Sequence, residues 1–324
     1  MPLLQSDANL LSNNQLVAGV IDQIIERDDT FAVLPFVGVN GKAYVYNREN
    51  TLPTADFLAP NSTVNESAAS FSEIVAVLKI LVGDTDIDKF LQTTESDTND
   101  QMAIQIAKKA KGVARVFHQA LASGVSTTGG TLTSTGWTGG TPTNGFDGLP
   151  TLAAEAQLQA TASGLPAAQI IAATNGAPLT LTLLDQLVDA VPNGPDVIVM
   201  RRGTIRAFRA LLRATYGTDA VMQMMENFGR PMLTHNGIPV IMNEFLSGAE
   251  TTGTNANTCS VYALRLNEVD GLHGLYGGPD AGIVVENIGT VQNKDATRIR
   301  LKWYCSLALK STRSIGQLSG ITNI

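Results

Sequence analysis

Cysteine is nearly absent. Cys259 and Cys305 are the only two in 324 residues, and neither sits in a CxxC or a Cys/His spacing. Zinc and dithiol redox motifs are thereby excluded, and reduced, buried thiols are the expectation, as for a chain kept in a reducing cytoplasm. Charge is scarce as well, at 16% against the ~25% usual for soluble domains. No run of about 18 apolar residues exists, which removes a membrane span. The beginning, "MPLLQSDANLLSNNQ", lacks the basic-then-apolar order of a signal peptide. Basic excess is missing too: the net charge is -7, which argues against a protein that coats nucleic acid by neutralising phosphates.

What is present is apolar. The hydrophobic fraction is 44% and there are 30 glycines. Few charges over much apolar residue imply a surface covered by something other than water, and self-association is the simplest cover. The length supports two or three subdomains with a substantial core.

A polar excursion, "ENTLPTADFLAPNSTVNESAASF" (residues 49–71), separates two strand-like runs, "KAYVYNR" and "SEIVAVLKILVG". Hairpins usually turn in two to five residues, so a connection this long is expected to act outside its own domain. Before it, residues 1–12 read as an extended arm. Leu16, Val17, Val20, Ile21, Ile24 and Ile25 repeat at helical spacing, and "TFAVLPFVGVNGKAYVYN" reads as strands broken at Pro35 and Asn40-Gly41. After it, "GDTDIDKFLQTTE" reads as a turn into the clearest helix, about Thr98 to Ser123. Asp97 or Asn99 can cap that helix, Asp100 suits its positive end and Gly124 its exit. One stripe of it is apolar and one basic, through Lys108, Lys111 and Arg115.

Residues 125–145 are biased to Gly, Thr and Ser, suiting a linker or a poorly buried strand excursion equally. "TLTLLDQLVDAV" reads as a helix, "GPDVIVMRRGTIRAFRALLRATYG" as strand, turn and helix, and "HNGIPVIMNEFL", "TCSVYALRL" and "AGIVVENIG" as short strands. "TRIRLKWYCSLALKS" alternates through Ile299, Leu301, Trp303, Cys305 and Leu307 as a long half-buried strand. Strands and helices mix without regular βαβ repetition, so the fold class is α+β.

Chemistry is hard to find. Asp84, Asp86, Asp88 and Glu95 take the ligand positions of a calcium loop, but Lys89 stands where that loop needs glycine. "GLYGGPDAG" has no following Lys-Ser/Thr, so it reads as a tightly packed bend and not a phosphate cradle. His118, His235 and His273 are scattered, without HExxH or GxSxG. No catalytic, cofactor or metal residue is assigned. Arg202, Arg206, Arg209 and Arg213 recur at helical spacing and can share one face, expected to pair with carboxylates of a neighbouring subunit.

The order of these segments, with the phrases "PDVIVMRRGTIRAF", "GIPVIMNEFL" and "TRIRLKWYCSLALKS", resembles the major capsid proteins of tailed phages, the Hong Kong 97 (HK97-like) fold. The resemblance implies an N-terminal arm and helix (1–30) and an extended β-hairpin loop with its flanking strands (31–82). A peripheral domain with a spine helix (83–170) and an axial domain (171–290) follow, then a peripheral return strand and tail (291–324). It implies that the hairpin reaches over an adjacent subunit, with Leu52, Phe57, Leu58, Val64 and Phe71 as anchors there. The expected contact residues are therefore Leu52, Phe57, Leu58, Val64, Arg202, Arg206 and Arg209.

Two departures from the family pattern follow. Only about 30 residues precede the first strand, so a separate scaffolding protein is implied where others carry a scaffolding segment. No lysine stands between Lys42 and Lys79, so a covalent cross-link from the loop tip is not expected. The function implied is a virion shell of hexamers and pentamers around double-stranded DNA, bound without sequence specificity. It would be assembled in the bacterial host cytoplasm with a portal, and with a cement protein where one is used. The alternatives are an encapsulin-like compartment shell and a soluble cytoplasmic enzyme without a recognisable motif.

Overall fold

A computed structural model describes residues 28–94, 101–126, 144–162, 169–216, 222–224, 231–278 and 282–324. The expected arm, the helix at 16–25, the caps Asp97, Asn99 and Asp100, and most of 125–145 lie outside the described residues.

Three sheets organise the described residues. The first has five strands: β1 (Phe36–Val39), β4 (Lys79–Asp88), β12 (Leu272–Gly277), β13 (Val284–Thr290) and β14 (Ala296–Leu309). β14 is its axis, antiparallel to β4, β12 and β13. The second has eight strands. Its path runs β5 (Ile170–Ala177), β15 (Ile315–Ile321), β11 (Asn255–Leu264), β6 (Val197–Met200), β9 (Ile238–Met242), β8 (Pro231–His235) and β7 (Met222–Met224), with β10 (Glu250–Thr252) beside β11. The third is a two-stranded hairpin, β2 (Ala43–Thr51) against β3 (Ser70–Val77). β12 and β13 thus stand in the first sheet although they lie before residue 291, and β15 stands in the second although it follows residue 291.

Four helices longer than one or two turns cover these sheets among the described residues: α1 (Gln101–Ser123), α2 (Leu149–Ala162), α3 (Leu181–Asp189) and α4 (Arg202–Tyr216). At ~1.5 Å per residue, α1 is roughly 35 Å long and packs its Val113, Phe117 and Leu121 inward. It stops at Gly124, whose N–H donates to Ala120 O at 2.7 Å. The carbonyl of Gly124 in turn accepts from Gly148 N and Thr151 Oγ1, both at 2.9 Å. A Cβ at Gly124 would run into the carbonyls of Ala120 and Phe146, so the close approach of the two segments needs glycine. Thr180 caps α3, accepting from Leu183 N at 3.3 Å.

One core joins the first two sheets. Phe117 and Leu121 of α1, Leu149 and Leu152 of α2, Tyr262 and Leu264 of β11 and Trp303, Cys305, Leu307 and Leu309 of β14 pack together. An aromatic cluster lies inside it, with Phe117 and Trp303 centroids 4.7 Å apart and Phe31 and Phe36 alongside. A second core, under α3 and α4, belongs to the eight-stranded sheet.

Two expectations are corrected, at Thr30–Val33 and after the excursion, and two details are added. Thr30–Val33 is a helical turn and not strand, because Asp28 Oδ1 accepts from Thr30 N at 2.9 Å and Phe31 enters the aromatic cluster. The expected break at Asn40-Gly41 separates two sheets, β1 joining β12 in parallel and β2 joining β3. The run after the excursion is two strands, divided at Leu78, and β4 continues through the calcium-like "GDTDID", held by cross-strand arginines. Leu149–Ala162 is a helix that the pattern did not announce.

Candidate functional site

The hairpin is the most exposed apolar element described. Its register runs from Ala43 opposite Val77 to Thr51 opposite Ser70, with an irregularity at Glu49 and Thr51. Its root is buried through Arg48, Ile74 and Ala76. Beyond the root no described residue of its own chain covers it. Leu52 is 71% exposed, Phe57 fully so, and Leu58, Val64 and Phe71 are exposed as well. The tip keeps its shape by short polar contacts. Ser67 Oγ accepts from Thr54 N at 2.8 Å and donates to Thr54 O at 2.9 Å, and Ser62 N donates to Ala59 O at 3.1 Å. Each of these apolar side chains forgoes about 1.5–3 kcal/mol relative to full burial.

Its root is bolted to the end of β14. Tyr46 donates its hydroxyl to Leu309 O at 2.6 Å. Arg48 donates to Lys310 O at 2.8 Å, to Leu309 O at 2.7 Å and to Gln159 of α2. Neither residue was marked as functional by sequence. An arginine in a two-residue period gives no sign that it points inward.

The arginine face forms as expected. Arg202, Arg206, Arg209 and Arg213 are exposed on α4, while Thr204, Phe208 and Leu212 are buried on the opposite side. Arg202 already has a partner in its own chain, Glu244 at 3.1 Å, and Arg206 reaches Ile324 O at 3.5 Å. The structure thus places the hairpin residues and the arginines on two different elements, with both sets facing solvent.

The acidic run "GDTDID" is structural. Asp84 takes a two-pronged bond from Arg300, both distances 2.8 Å, and Asp86 takes one from Arg298 at 2.6 and 2.8 Å. Those guanidiniums hold both carboxyls below the usual aspartate range. Lys302 pairs with Glu286 on the same face. Among the described residues, no group of three His, Cys, Asp or Glu gathers as metal ligands would.

Each histidine has a local occupation. His118 meets Asp28 at 2.6 Å and stacks on Phe245; His235 meets Asp185 at 2.9 Å; His273 is buried, which lowers its pKa. An open cleft of about 1020 Å³ lies beside Gln119, Arg201, Glu244, Glu250 and Gln317. There Glu250 accepts from Ser260 at 2.5 Å, and burial pushes its carboxyl up to about 7. Gln317 donates to the same Ser260 at 2.9 Å, which ties β10, β11 and β15 together. Glu250 and Gln317 are thereby engaged through Ser260. Among the described residues, no helix is long and apolar enough to cross a membrane.

No family model matches the chain, and no curated protein matches it in sequence. Solved structures do match it from end to end. The capsid asymmetric unit of cyanophage A-1(L) superposes with a TM-score of 0.68 at 14% identity, covering 99% of this chain and 100% of that one. The holo-SrpI encapsulin complex from Synechococcus elongatus PCC 7942 gives 0.66 at 18% identity, covering 99% and 96%. The capsid of an empty GTA particle gives 0.61 at 14%, covering 98% of each. The fold is therefore α+β and HK97-like, the fold of phage capsid and encapsulin shell subunits, as the segment order implied.

Proposed function

We propose that this chain is a major capsid protein of a tailed phage, building hexamers and pentamers that close into an icosahedral head around double-stranded DNA. One observation carries the reading: a fold that matches shell subunits over nearly the whole chain holds out a hairpin whose apolar side chains have no acceptor among the described residues of their own subunit. A second copy supplies that acceptor. On this reading Leu52, Phe57, Leu58 and Val64 are anchors laid on a neighbour, and Arg202, Arg206 and Arg209 face carboxylates across a capsomer contact. The division at residues 30, 82, 170 and 290 into arm, extended loop, peripheral domain, axial domain and return strand belongs to the same proposal. So do a separate scaffolding protein, a portal, a cement protein and assembly in the host cytoplasm. The role is structural and needs no catalysis, cofactor or metal.

Negative-stain imaging of the purified, nuclease-treated assembly tests it. Closed icosahedral shells protecting double-stranded DNA are expected from the native source. A discrete small oligomer, or turnover of a substrate without shells, overturns it. The match to an encapsulin favours a second reading, a compartment shell; closed particles holding a cargo enzyme and no DNA would select it.

A further inference from the structure

The chain contains five Asn-Gly steps, at Asn40, Asn144, Asn175, Asn193 and Asn236. All five asparagines are exposed, so exposure does not rank them. Hydrogen bonding does. Asn175 Oδ1 accepts from Thr254 N at 3.3 Å, Asn193 Nδ2 donates to Asp270 at 3.2 Å, and Asn236 Nδ2 donates to Asp185 at 3.2 Å. Gly194 N is itself spent on Val191 O at 2.9 Å. Asn175 and Asn236 also stand at φ 59° and 51°, the left-handed geometry of a tight turn. Asn144 is engaged as well. At the remaining step, among the described residues, neither the Asn40 side chain nor Gly41 N makes a hydrogen bond. Gly41 sits at φ 120°, which glycine alone adopts readily, and nothing lies within 4 Å of where a Cβ would stand.

We infer that Asn40-Gly41 is a self-modifying step at the entrance to the hairpin, closing to a succinimide and opening to aspartate or isoaspartate. Gly41 N attacks Asn40 Cγ. The N–Cγ bond forms, the Cγ–Nδ2 bond breaks, and the amide nitrogen leaves as ammonia with the proton lost from Gly41 N. Water then adds across one of the two imide C–N bonds. Breaking the side-chain bond gives aspartate, and breaking the main-chain bond gives isoaspartate. Water is the one co-reactant, and no redox change occurs. Ring closure needs the amide carbon to swing onto the next nitrogen, and that nitrogen to be donating nowhere else. A tethered amide has to break its hydrogen bond first; Asn40 has none to break.

The step lies where the chain leaves the first sheet for the hairpin. On one side Val39 is buried and pairs with Gly277. On the other, Lys42 O accepts from Leu78 N at 3.0 Å and Ala43 pairs with Val77. Both flanks are fixed. The extra main-chain carbon of isoaspartate, with its new carboxylate, therefore falls on the bend between them and loosens the first pairs of the hairpin root. The assignment belongs to the single subunit and stands whether or not the shell reading holds.

Ageing the full natural chain in mildly alkaline buffer tests it, with peptide mass spectrometry after digestion under acidic conditions, where ring closure is slow. A parallel sample is aged in denaturant. Unfolded, the Asn-Gly steps are expected to convert at similar rates. Folded, Asn40 is expected to keep its unfolded rate while Asn175, Asn193 and Asn236 slow several-fold. Conversion at Asn40 no faster than at those three in the folded chain overturns the proposal. So does the same ranking in denaturant, which would assign the order to local sequence and not to the fold. Hydrogen–deuterium exchange then reads the consequence. Peptides covering 43–51 are expected to lose protection several-fold on ageing, against an unmoving reference at 299–309. Asn40→Gln, whose longer side chain closes its ring far more slowly, is expected to keep that protection. Equal losses in the two chains overturn the effect on the hairpin root.

Discussion

β14 and the β2–β3 hairpin are written in the same alternating code and end in opposite situations. In β14 the inward residues Ile299, Leu301, Trp303, Cys305 and Leu307 are each at most 4% exposed. It has strands on both edges, and α1 packs over it. Among the described residues the hairpin has only two strands, and past Arg48 neither a third strand nor a helix covers it. An isolated two-stranded ribbon is marginal in water, so its order depends on the root bolts and on whatever it is laid against. The subunit's own stability therefore resides around β14, and the hairpin's apolar residues are available for another molecule.

Excising the tip breaks this comparison most sharply. Thr51 and Ser70 are direct partners, their hydroxyl oxygens 2.6 Å apart, so residues 52–69 can be replaced by Asn-Gly. Closing the shorter loop is if anything more favourable. The variant is expected to remain soluble, melt cooperatively near the parent and form no shells by sedimentation. Normal shells would show that the tip is no clasp; an unfolded subunit would place it in the core.

Two phenylalanines sharpen the contrast. Phe117→Ala empties the aromatic cluster and is expected to cost about 3–5 kcal/mol, a melting drop on the order of ten degrees. Phe57→Ala is expected to leave melting within about half a kcal/mol while lowering assembly yield. Equal melting losses at the two sites would erase the distinction. A smaller effect is expected on α4. The triple change Arg202→Gln, Arg206→Gln, Arg209→Gln leaves the subunit folded and weakens the salt dependence of assembly, since exposed pairs are each worth little and act through repetition. Identical yields from low to high salt for parent and variant would remove the arginines from the contact.

Legibility followed the same division. β14, α1, α3 and α4 were readable because each has one buried and one exposed face, which is what periodicity records. The arginine face followed from the same signal, whereas the hairpin's apolar residues were singled out by the length of the excursion and by the resemblance. α2 was not readable: "LPTLAAEAQLQATA" is buried throughout from Leu149 to Ala156, its polar residues Thr151 and Glu155 included, so no polar face sets the period there. With the helix unseen, Glu155 was unseen too. The "GDTDID" run misled for a related reason. Its acids alternate on a strand, but their partners Arg298 and Arg300 lie in a distant segment, and only β4–β14 pairing brings them together.

Those pairs give the smallest effect, and acid titration isolates it. Two sets of carboxyls pull stability in opposite directions. Glu155 and Glu250, both raised to about 7, bind protons in the folded state first. Stability therefore rises as pH falls from about 7 toward the ordinary glutamate range, then gains no more. Asp84 and Asp86 are depressed, chiefly by their hydrogen bonds from Arg300 and Arg298, with burial opposing. Their contribution is present above the unfolded aspartate value of about 3.9 and is lost as pH falls through the lower folded value. Because the two windows do not overlap, melting between pH 5 and 2.5 reads the ladder on its own (roughly the interval spanning those aspartate values). The double change Asp84→Asn, Asp86→Asn is expected to make that acid limb shallower and to leave the rise between pH 7 and 5 in place. The loss at neutral pH should be slight, since both arginines face solvent and β14 keeps its buried face. An acid limb as steep as the parent's would show that β4 is held by its inward side chains alone, and that the two-pronged bonds merely decorate a strand whose position burial already decides.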